Sequence, residues 1–422
     1  MTVSVEPTVS ATELQQLTTS LKAARERVLR QRSVDDVLRV LGVVIDRWLD
    51  RDSPWRQRAE AELPEASGFS AAMIRHGLPL LLDPLGAEAV GRLLDGELGG
   101  RRSVEELSGT PLIVHVLSGN IPALAAAPIV LSLAIGSAAL VKRSHGDPVF
   151  PPLLVESIKE VDAHLAECVA AVYWMGGRLD VETVAFGAAD LVVASGSDAT
   201  IADIENRVPG RFIGHGHRIS FAAIARESLD DALAAAQRLA YDATLWDQQG
   251  CLSPQLAYVE RGGSLPVEEF AEEVGRQLER LAGELPPRRL SLEEQASIQR
   301  FRQEAEWRAV RGEEIAMFSS PGGLRWTVVY DGTPAFLPTP LNRTLWIKPV
   351  ATLNELAAVL TPVRRYLEAA GVAASPERQA ELGKILAAAG VHRVCPLGRM
   401  QRPDLTWRPG GRRRVAEWIG LS

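Results

Sequence analysis

The sequence predicts an α/β protein with two lobes built on parallel β-sheets, a helical N-terminal region and a C-terminal arm. Its 422 residues are too many for one compact core. From residue 111 onward, short apolar runs alternate with segments of helical periodicity, which is typical of βαβ units in parallel sheets. The hydrophobic content of 46% and the charged content of 23% are ordinary for a folded enzyme.

The N-terminal region, residues 1–110, is predicted to be helical. Apolar residues recur every three or four positions in LQQLTTSLKAARERVL, VDDVLRVLGVVIDRWL, AAMIRHGLPLLL and AEAVGRLLDGEL. We expect these helices to pack on the lobe that follows.

The first lobe, residues 111–228, is predicted to contain a parallel sheet. We expect strands at PLIVHVLS, AALVKRS, AAVYWMGG and ADLVVASGS, and a further β segment at RFIGHGHRISFAAIA. Parallel sheets bind ligands beyond the carboxyl ends of their strands, where the turns SGN, KRSHG and SGSD fall. These three turns are therefore candidate ligand sites.

The second lobe, residues 229–390, is predicted to be α/β as well. It begins with a helix at ESLDDALAAAQRLAYDA, a loop at TLWDQQGCLSPQ and a strand at LAYVERG. Helices at 266–284 and 291–310 and strands at WTVVYD and RTLWIKPV follow. The tail, residues 391–422, is rich in Pro, Gly and Arg and predicts an irregular or β arm.

Composition argues against several classes of function. A net charge of -7 and a pI near 5.7 leave no broad basic surface for nucleic acid. The N-terminus lacks the features of a secretory signal, and the most apolar windows, near 121–141 and 231–240, do not resemble a bilayer span, so we expect no membrane anchor. Three scattered cysteines fit a reducing compartment, the cytoplasm, and no CxxC or HExxH motif supports a metal site.

Cys251, in DQQGCLSP, is the candidate nucleophile. The preceding glycine lets a ligand approach the backbone, and Ser-Pro forms a turn after it. Accessible thiolates attack carbonyl carbons well. The alternative is that this cysteine is a small buried apolar residue.

The motifs SGNIP, ALVKRS, SGS, GHGHRIS and QQGC occur in an order and with spacings that resemble the aldehyde dehydrogenase superfamily. Within it, VCPLGRMQRPDLTW is most similar to the LuxC-type fatty acyl-CoA reductases, which supply long-chain aldehyde in bacterial bioluminescence. The resemblance covers residues 110–422. It implies an aldehyde dehydrogenase-like fold with an NADP-binding domain over 111–228 and a catalytic thiol domain over 229–390. It also implies NADPH-dependent reduction of an acyl-CoA and a homo-oligomer, either a dimer or a tetramer.

The resemblance gives Asn120 a catalytic role. Asn120 matches the asparagine whose amide, with the backbone N–H of the cysteine, forms the oxyanion hole of this superfamily. The alternative is that Asn120 caps a helix beginning near Pro122.

Two turns are the expected cofactor site. Lys142, Arg143 and Ser144 end the second strand, and cations without an acid at this point favour the extra phosphate of NADPH over NADH. An ordinary solvated charge pair is the alternative.

The second of these turns is formed by Ser195, Gly196 and Ser197. Its backbone amides could meet a pyrophosphate at the start of a helix, although the chain contains no GxGxxG. The structural alternative makes the serine an N-cap, with Asp198 in the first helical turn.

The segment GHGHRIS lacks the glutamate base that hydrolytic relatives carry in LELGGKS. Because a reductase needs no hydrolytic water, this departure favours thioester reduction over aldehyde oxidation. A proton-donating role for His215 or His217 stays open, and the glutamate that holds the nicotinamide ribose in relatives has no clear equivalent in PLNRTLWIKPV. The remaining alternatives are a reductase of acyl groups on a carrier protein, an NAD(P)-dependent aldehyde dehydrogenase, and a non-catalytic protein that retains the fold. In the tail that resembles this family, Arg399, Arg402 and Trp407 could contact phosphates of CoA or a carrier arm, although docking of the arm on a neighbouring lobe or subunit is the favoured alternative.

Overall fold

A computed structural model describes residues 8–99, 107 and 110–421. The predicted strands at 112–195 and 254–350 and the helices at 267–310 are present with small shifts of their ends. The helices are α1 Ala11–Arg27, α2 Val34–Leu49, α3 Pro54–Ser67, α4 Ala71–Leu82, α5 Ala87–Leu98, α6 Ala126–Ala134, α7 Phe150–Val161, α8 Ala163–Ala166, α9 Leu179–Ala188, α10 Asp198–Glu205, α11 Ala232–Thr244, α12 Val267–Glu284, α13 Leu292–Val310, α14 Leu356–Val359 and α15 Pro376–Ala388. The strands are β1 Leu112–Val116, β2 Ala138–Lys142, β3 Val169–Val172, β4 Leu191–Ser195, β5 Arg211–His215, β6 Ile219–Ile224, β7 Pro254–Glu260, β8 Ile315–Ser319, β9 Thr327–Asp331, β10 Thr344–Val350, β11 Leu367–Ala373 and β12 Arg393–Pro396.

The N-terminal helices α1–α5 pack on the first sheet and its covering helices. Serine N-caps begin α1, α2 and α4, each accepting a backbone N–H from the first turn. The apolar face of α2 packs on α7, where Trp48 lies 4.8 Å from Phe150 between ring centroids and donates its indole N–H to Ser157 at 2.8 Å. The tail end of the predicted region, residues 100–106 and 108–109, lies outside the described residues.

The first sheet is five-stranded and entirely parallel, in the order β3-β2-β1-β4-β5. The central strand β1 is buried along its whole length, as expected of a strand covered on both faces. Val114 on β1 is paired with Leu140 on β2 and with Val192 on β4. The turns after β1, β2 and β4 therefore lie side by side at one edge of the sheet.

The second sheet has seven strands in the order β12-β11-β6-β7-β10-β9-β8. Its strands are parallel except β8, which pairs antiparallel with β9. The segment RFIGHGHRISFAAIA, predicted as one β segment, forms two strands in different sheets, since the chain leaves the first sheet after His215 and enters the second at Ile219. The change of sheet thus precedes residue 229, the predicted start of the second lobe.

The C-terminal arm contacts the amino edges of both sheets. Thr110, just before β1, donates its hydroxyl to the carbonyl of Trp418, and Gln401 donates to the hydroxyl of Ser253 at 2.8 Å. Within the described ranges, no helix combines the length and apolar character needed to cross a membrane. The same ranges hold no group of three or more His, Cys, Asp or Glu residues arranged to hold a metal ion.

Candidate active site

Cys251 lies in the short segment between a left-handed turn and strand β7. A second left-handed turn, distant in the chain, packs against the first. The segments Trp246–Gln248 and Leu341–Arg343 each have three successive residues with positive φ, from 48° to 62° and from 55° to 59° respectively. None of these six residues is glycine, and such a conformation costs about 1–2 kcal/mol for each L-residue. Strain of this kind persists where the surroundings over-determine it, and it is concentrated at functional sites.

Side chains of the two turns hold each other in place. The Asp247 carboxylate is paired with the Arg343 guanidinium at 2.5 Å, and both side chains are fully buried. The backbone N–H of Asn342 donates to the Asp247 carbonyl at 3.1 Å. The Gln248 side chain donates to the carbonyl of Thr344 at 3.0 Å and accepts from its N–H at 2.7 Å. The backbone before the thiol is therefore fixed from both sides.

Cys251 is exposed, whereas Cys168 and Cys395 are buried. Although Cys251 touches solvent, desolvation raises the pKa of its thiol to about 11, with the negative charge of Glu368 adding to the effect. The backbone N–H of Cys251 and the charges of Arg414 and Arg218 act in the opposite direction. The thiol is thus accessible to solvent, and its surroundings favour the protonated form.

Glu368, on β11, is a buried carboxylate beside this thiol. It is 1% exposed, lies 3.3 Å from the Arg218 guanidinium and accepts the Gly410 N–H at 3.0 Å. Burial raises the pKa of the Glu368 carboxyl. This residue could not be singled out from the sequence, where it is a lone carboxylate at the second position of the apolar run LEAAGVA.

Arg414 brings a cation to the thiol from the C-terminal arm. Glu97, at the end of α5, accepts the backbone N–H groups of residues 414–416 at 2.8–3.0 Å, which fixes this part of the arm. Burial lowers the pKa of Arg414 to about 10, against the charges of Glu97, Cys251 and Glu368. A guanidinium remains protonated at neutral pH, so Arg414 still favours the thiolate.

Ser220 connects the cysteine to the neighbouring strands. Its hydroxyl donates to the carbonyl of Cys251 at 2.7 Å and accepts the N–H of Ala369 at 3.1 Å. The Ser220 side chain thus connects the starts of β6 and β11 to Cys251.

The side chain of Asn120, in the turn after β1, contacts the loop that leads to Cys251. Its side-chain amide donates to the carbonyl of Gln249, two residues before the cysteine, and its carbonyl oxygen accepts the hydroxyl of Ser118 at 2.8 Å. Helix α6 begins only at Ala126 and its first turn has no side-chain cap. The alternative in which Asn120 caps a helix near Pro122 is therefore wrong.

The turn after β2 presents cations and a hydroxyl. Lys142 ends the strand, burial lowers the pKa of its ammonium, and the Arg143 guanidinium lies 5.4 Å from the centroid of the Tyr173 ring. A Cβ added to Gly119 would lie 2.0 Å from the hydroxyl of Ser144, so the SGN turn needs glycine to approach this turn. The structure thus brings the SGN turn and the KRS turn together.

The turn after β4 is largely occupied by its own contacts. The Gly196 N–H donates to the His215 carbonyl at 3.2 Å, and the Ser197 hydroxyl accepts the Thr200 N–H at 3.2 Å as the N-cap of α10. Asp198 accepts the His217 N–H at 2.8 Å, which keeps a carboxylate at this helix start. The structural alternative for Ser197 is confirmed.

The two histidines of GHGHRIS lie in different environments. His215 is half-buried, and desolvation together with nearby arginines lowers its pKa to about 4, so it is neutral at physiological pH. His217 is exposed and packs edge-on against Tyr366, with ring centroids 6.0 Å apart. A neutral His215 is a poor proton donor.

Solved structures show the same architecture. Aldehyde dehydrogenase 21 from Physcomitrella patens matches with a TM-score of 0.71 at 15% identity, over 92% of this chain and 83% of that one. An NADP-dependent glyceraldehyde-3-phosphate dehydrogenase from Bacillus halodurans, complexed with NADP, matches with a TM-score of 0.68 at 17% identity, over 92% and 83%. The chain therefore has the aldehyde dehydrogenase fold, as predicted.

Residues 29–413 match the family described as acyl-CoA reductase (LuxC), and the chain belongs to that family. A long-chain acyl-protein thioester reductase from Aliivibrio fischeri is 26% identical over 345 residues, which are 77% of this chain and 69% of that protein. Long-chain acyl-protein thioester reductase 2 from Photobacterium leiognathi is 26% identical over 293 residues, 68% of this chain and 58% of that protein.

Proposed function

We propose that this protein reduces an acyl-CoA to the aldehyde with NADPH and releases CoA, through an acyl group held covalently on Cys251. The observation that carries this proposal is an exposed cysteine on a rigid loop, tied to Asn120 and surrounded by cations at the junction of the two sheets. We further expect a cytoplasmic homo-oligomer, a dimer or a tetramer.

The first half of the reaction is acyl transfer to sulfur. The Cys251 thiolate attacks the thioester carbon, and the Asn120 amide with the Cys251 N–H stabilises the oxyanion. The oxyanion collapses, the carbon–sulfur bond to CoA breaks, and the departing thiolate takes a proton. Covalent catalysis of this kind replaces one difficult step by two easier ones.

In the second half, the acyl group on Cys251 becomes an aldehyde. Bound NADPH supplies the hydride. The Asn120 amide again stabilises the oxygen, and the thiohemiacetal then breaks to release the aldehyde and restore the thiol. Water must not hydrolyse the acyl group meanwhile, and the segment GHGHRIS lacks the glutamate base of hydrolytic relatives.

The donor set at β2 fits an NADP cofactor. Lys142 and Arg143 supply positive charge and Ser144 a hydroxyl donor, as a ribose phosphate requires. Ser195, Gly196 and Ser197 would adjoin the pyrophosphate, although Asp198 and the bond from Gly196 to His215 reduce what this turn offers. These contacts therefore support binding of the ribose phosphate after β2 more strongly than binding of the pyrophosphate after β4.

The arginines near the thiol suggest how it is activated. Arg218 and Arg414 favour the thiolate, and burial with Glu368 opposes it. Because the free thiol has a high pKa, we propose that substrate binding is accompanied by loss of the proton from Cys251 to a nearby base, for which Glu368 is the available buried carboxylate.

The names of the relatives support a second acyl donor. Those proteins are called acyl-protein thioester reductases. A protein-bound acyl thioester would require the same Cys251 chemistry, with a different leaving thiol. Comparing turnover of acyl-CoA with that of an acyl-carrier protein separates the two donors.

Mass spectrometry of the intact protein tests the proposal. Acyl-CoA without NADPH should add one acyl mass to the wild type and to Cys395→Ser, and none to Cys251→Ser. Adding NADPH should remove the adduct and release aldehyde, faster than NADH does. An active enzyme whose Cys251 stays unmodified would overturn the mechanism, and faster oxidation of aldehyde than reduction of thioester would favour a dehydrogenase.

A further inference from the structure

A cleft of about 740 Å³ lies between strand β12 and the arm that follows it. Arginines at four positions line it together with His392 and Trp407, and the lining arginines are Arg393, Arg399, Arg402 and Arg408. Asp404 is the carboxylate among the described lining residues, and it accepts bonds from Thr406. In a chain of net charge -7, this is a local concentration of positive charge.

Arg393 stabilises the charge of the buried carboxylate of Asp242. No carboxylate among the described residues lies within ion-pair distance of the four guanidinium groups. Arg393 is held in place by donating to the carbonyls of Met400 and Arg399 at 2.7 and 2.9 Å, and Arg402 donates to the Tyr241 hydroxyl at 3.2 Å. Arg399 is exposed. Hydrogen bonds thus hold Arg393 and Arg402 in the wall, and Arg399 is open to solvent.

The cleft adjoins the nucleophile loop. Buried Asp242 accepts the N–H groups of Gly398 and Met400 at 2.6 and 3.1 Å, which fixes the start of the arginine-bearing segment. Gln401, between two of the arginines, donates to the Ser253 hydroxyl at 2.8 Å, two residues after Cys251. A ligand with its anion in the cleft therefore lies next to the loop that carries the thiol.

We propose that this cleft binds the phosphate groups of a phosphopantetheine thiol, the part of the acyl donor that leaves. This inference rests on the proposed function. Arginine is suited to phosphate because its planar guanidinium forms paired, charge-assisted hydrogen bonds. The indole Nε1 of Trp407 is buried in the wall without a hydrogen-bond partner among the described residues, which leaves a further donor there. CoA and a phosphopantetheinylated carrier protein share this chemistry.

Calorimetric titration of the full-length protein with CoA tests the cleft. In the double variant Arg399→Gln/Arg402→Gln, loss of two charge-assisted contacts should weaken CoA binding by at least about tenfold. Arg51→Gln/Arg300→Gln removes two exposed arginines elsewhere and should bind CoA as the wild type does. Equal binding by all three proteins, or displacement of CoA by saturating NADP⁺, would overturn the proposal.

Truncated probes identify the source of the phosphate. Pantetheine, which has no phosphate, should bind much more weakly than CoA, and equal binding would also overturn the proposal. If 4′-phosphopantetheine binds like CoA, the recognised phosphate is the one that CoA and carrier proteins share. If dephospho-CoA binds more weakly than CoA, the 3′-phosphate is recognised and the donor is CoA. Either ranking supports the cleft.

The failure of this proposal can be told from failure of the proposed function. The preference for acyl-CoA over acyl-pantetheine, as a ratio of kcat/KM values, should fall at least about tenfold in the cleft variant and stay unchanged in the control variant. If no thioester acylates wild-type Cys251, the proposed function is wrong, while the CoA titration still decides the cleft.

Discussion

Replacing Glu368 by glutamine should make the Cys251 thiol more acidic. Glutamine keeps the shape of the side chain and an oxygen to accept the Gly410 N–H, but it removes the negative charge. That charge is one of the causes that raise the pKa of the thiol to about 11. Without it, burial still opposes the thiolate, but no negative charge offsets the positive charges of Arg218 and Arg414. Removing one like charge from a partly desolvated site lowers a pKa by on the order of one unit.

The expected rate change follows from that shift. Below its pKa, the thiolate fraction rises about tenfold for each unit that the pKa falls, but the less basic thiolate is about threefold less nucleophilic. The net gain is therefore roughly threefold in the rate of iodoacetamide alkylation at pH 8, with the midpoint of the pH profile lower by about one unit.

Alkylation followed by intact mass isolates this thiol, since Cys168 and Cys395 are buried and Cys251→Ser supplies the background. Glu227→Gln, a carboxylate paired with Arg378 after the far end of β6, is the matched control and should leave the profile unchanged. A midpoint in Glu368→Gln that stays in place or rises would refute the electrostatic reasoning.

Three further predictions concern the oxyanion, the loop and stability toward acid. Asn120→Ala should lower kcat by about 10²–10³ with little change in stability, measured by steady-state kinetics and thermal unfolding. Arg343→Leu should lower the free energy of unfolding by about 3–5 kcal/mol in urea, because Asp247 remains buried and unpaired, and Asp247→Asn added to it should restore part of the loss. Burial lowers the pKa of His115 from 6.5 to about 3, so the unfolded chain binds more protons below pH 6.5, and this group alone should cost about 2 kcal/mol of stability at pH 5. His115→Gln should reduce the fall in stability between pH 7 and 5, whereas exposed His164→Gln should not.

The strands of the first sheet could be predicted because each is a continuous apolar run closed by a turn. LIVHV, AALVK and LVVAS are buried on both faces, and their local composition alone indicates a parallel sheet. Strand β11 could not be recognised in the same way, because LEAAGVA is rich in Ala and Gly, which have low β propensity. Its place between β6 and β12 is decided by long-range packing.

Some residues of the candidate site could likewise be predicted from the sequence, whereas others could not. Cys251 and Asn120 lie in motifs that are visible in the sequence, and the structure brings these motifs together. Glu368 and Arg414 are distant in the chain from Cys251, and only the fold shows that their charges act on it. The two left-handed turns could not be predicted from the sequence either, because residues such as Trp246 and Leu341 rarely adopt positive φ.

The C-terminal arm links the acidity of the thiol to completion of the fold. Burial and Glu368 both disfavour the thiolate, so its reactivity depends on cations that offset them. One of these cations, Arg414, is positioned because Glu97 in the helical N-terminal region accepts the backbone N–H groups around it. Residues from the beginning, middle and end of the chain therefore act together on the pKa of Cys251, and without Arg414 that pKa would be higher still. With a pKa of about 11, the thiol of the folded protein is protonated at neutral pH, which protects it from oxidation and stray acylation.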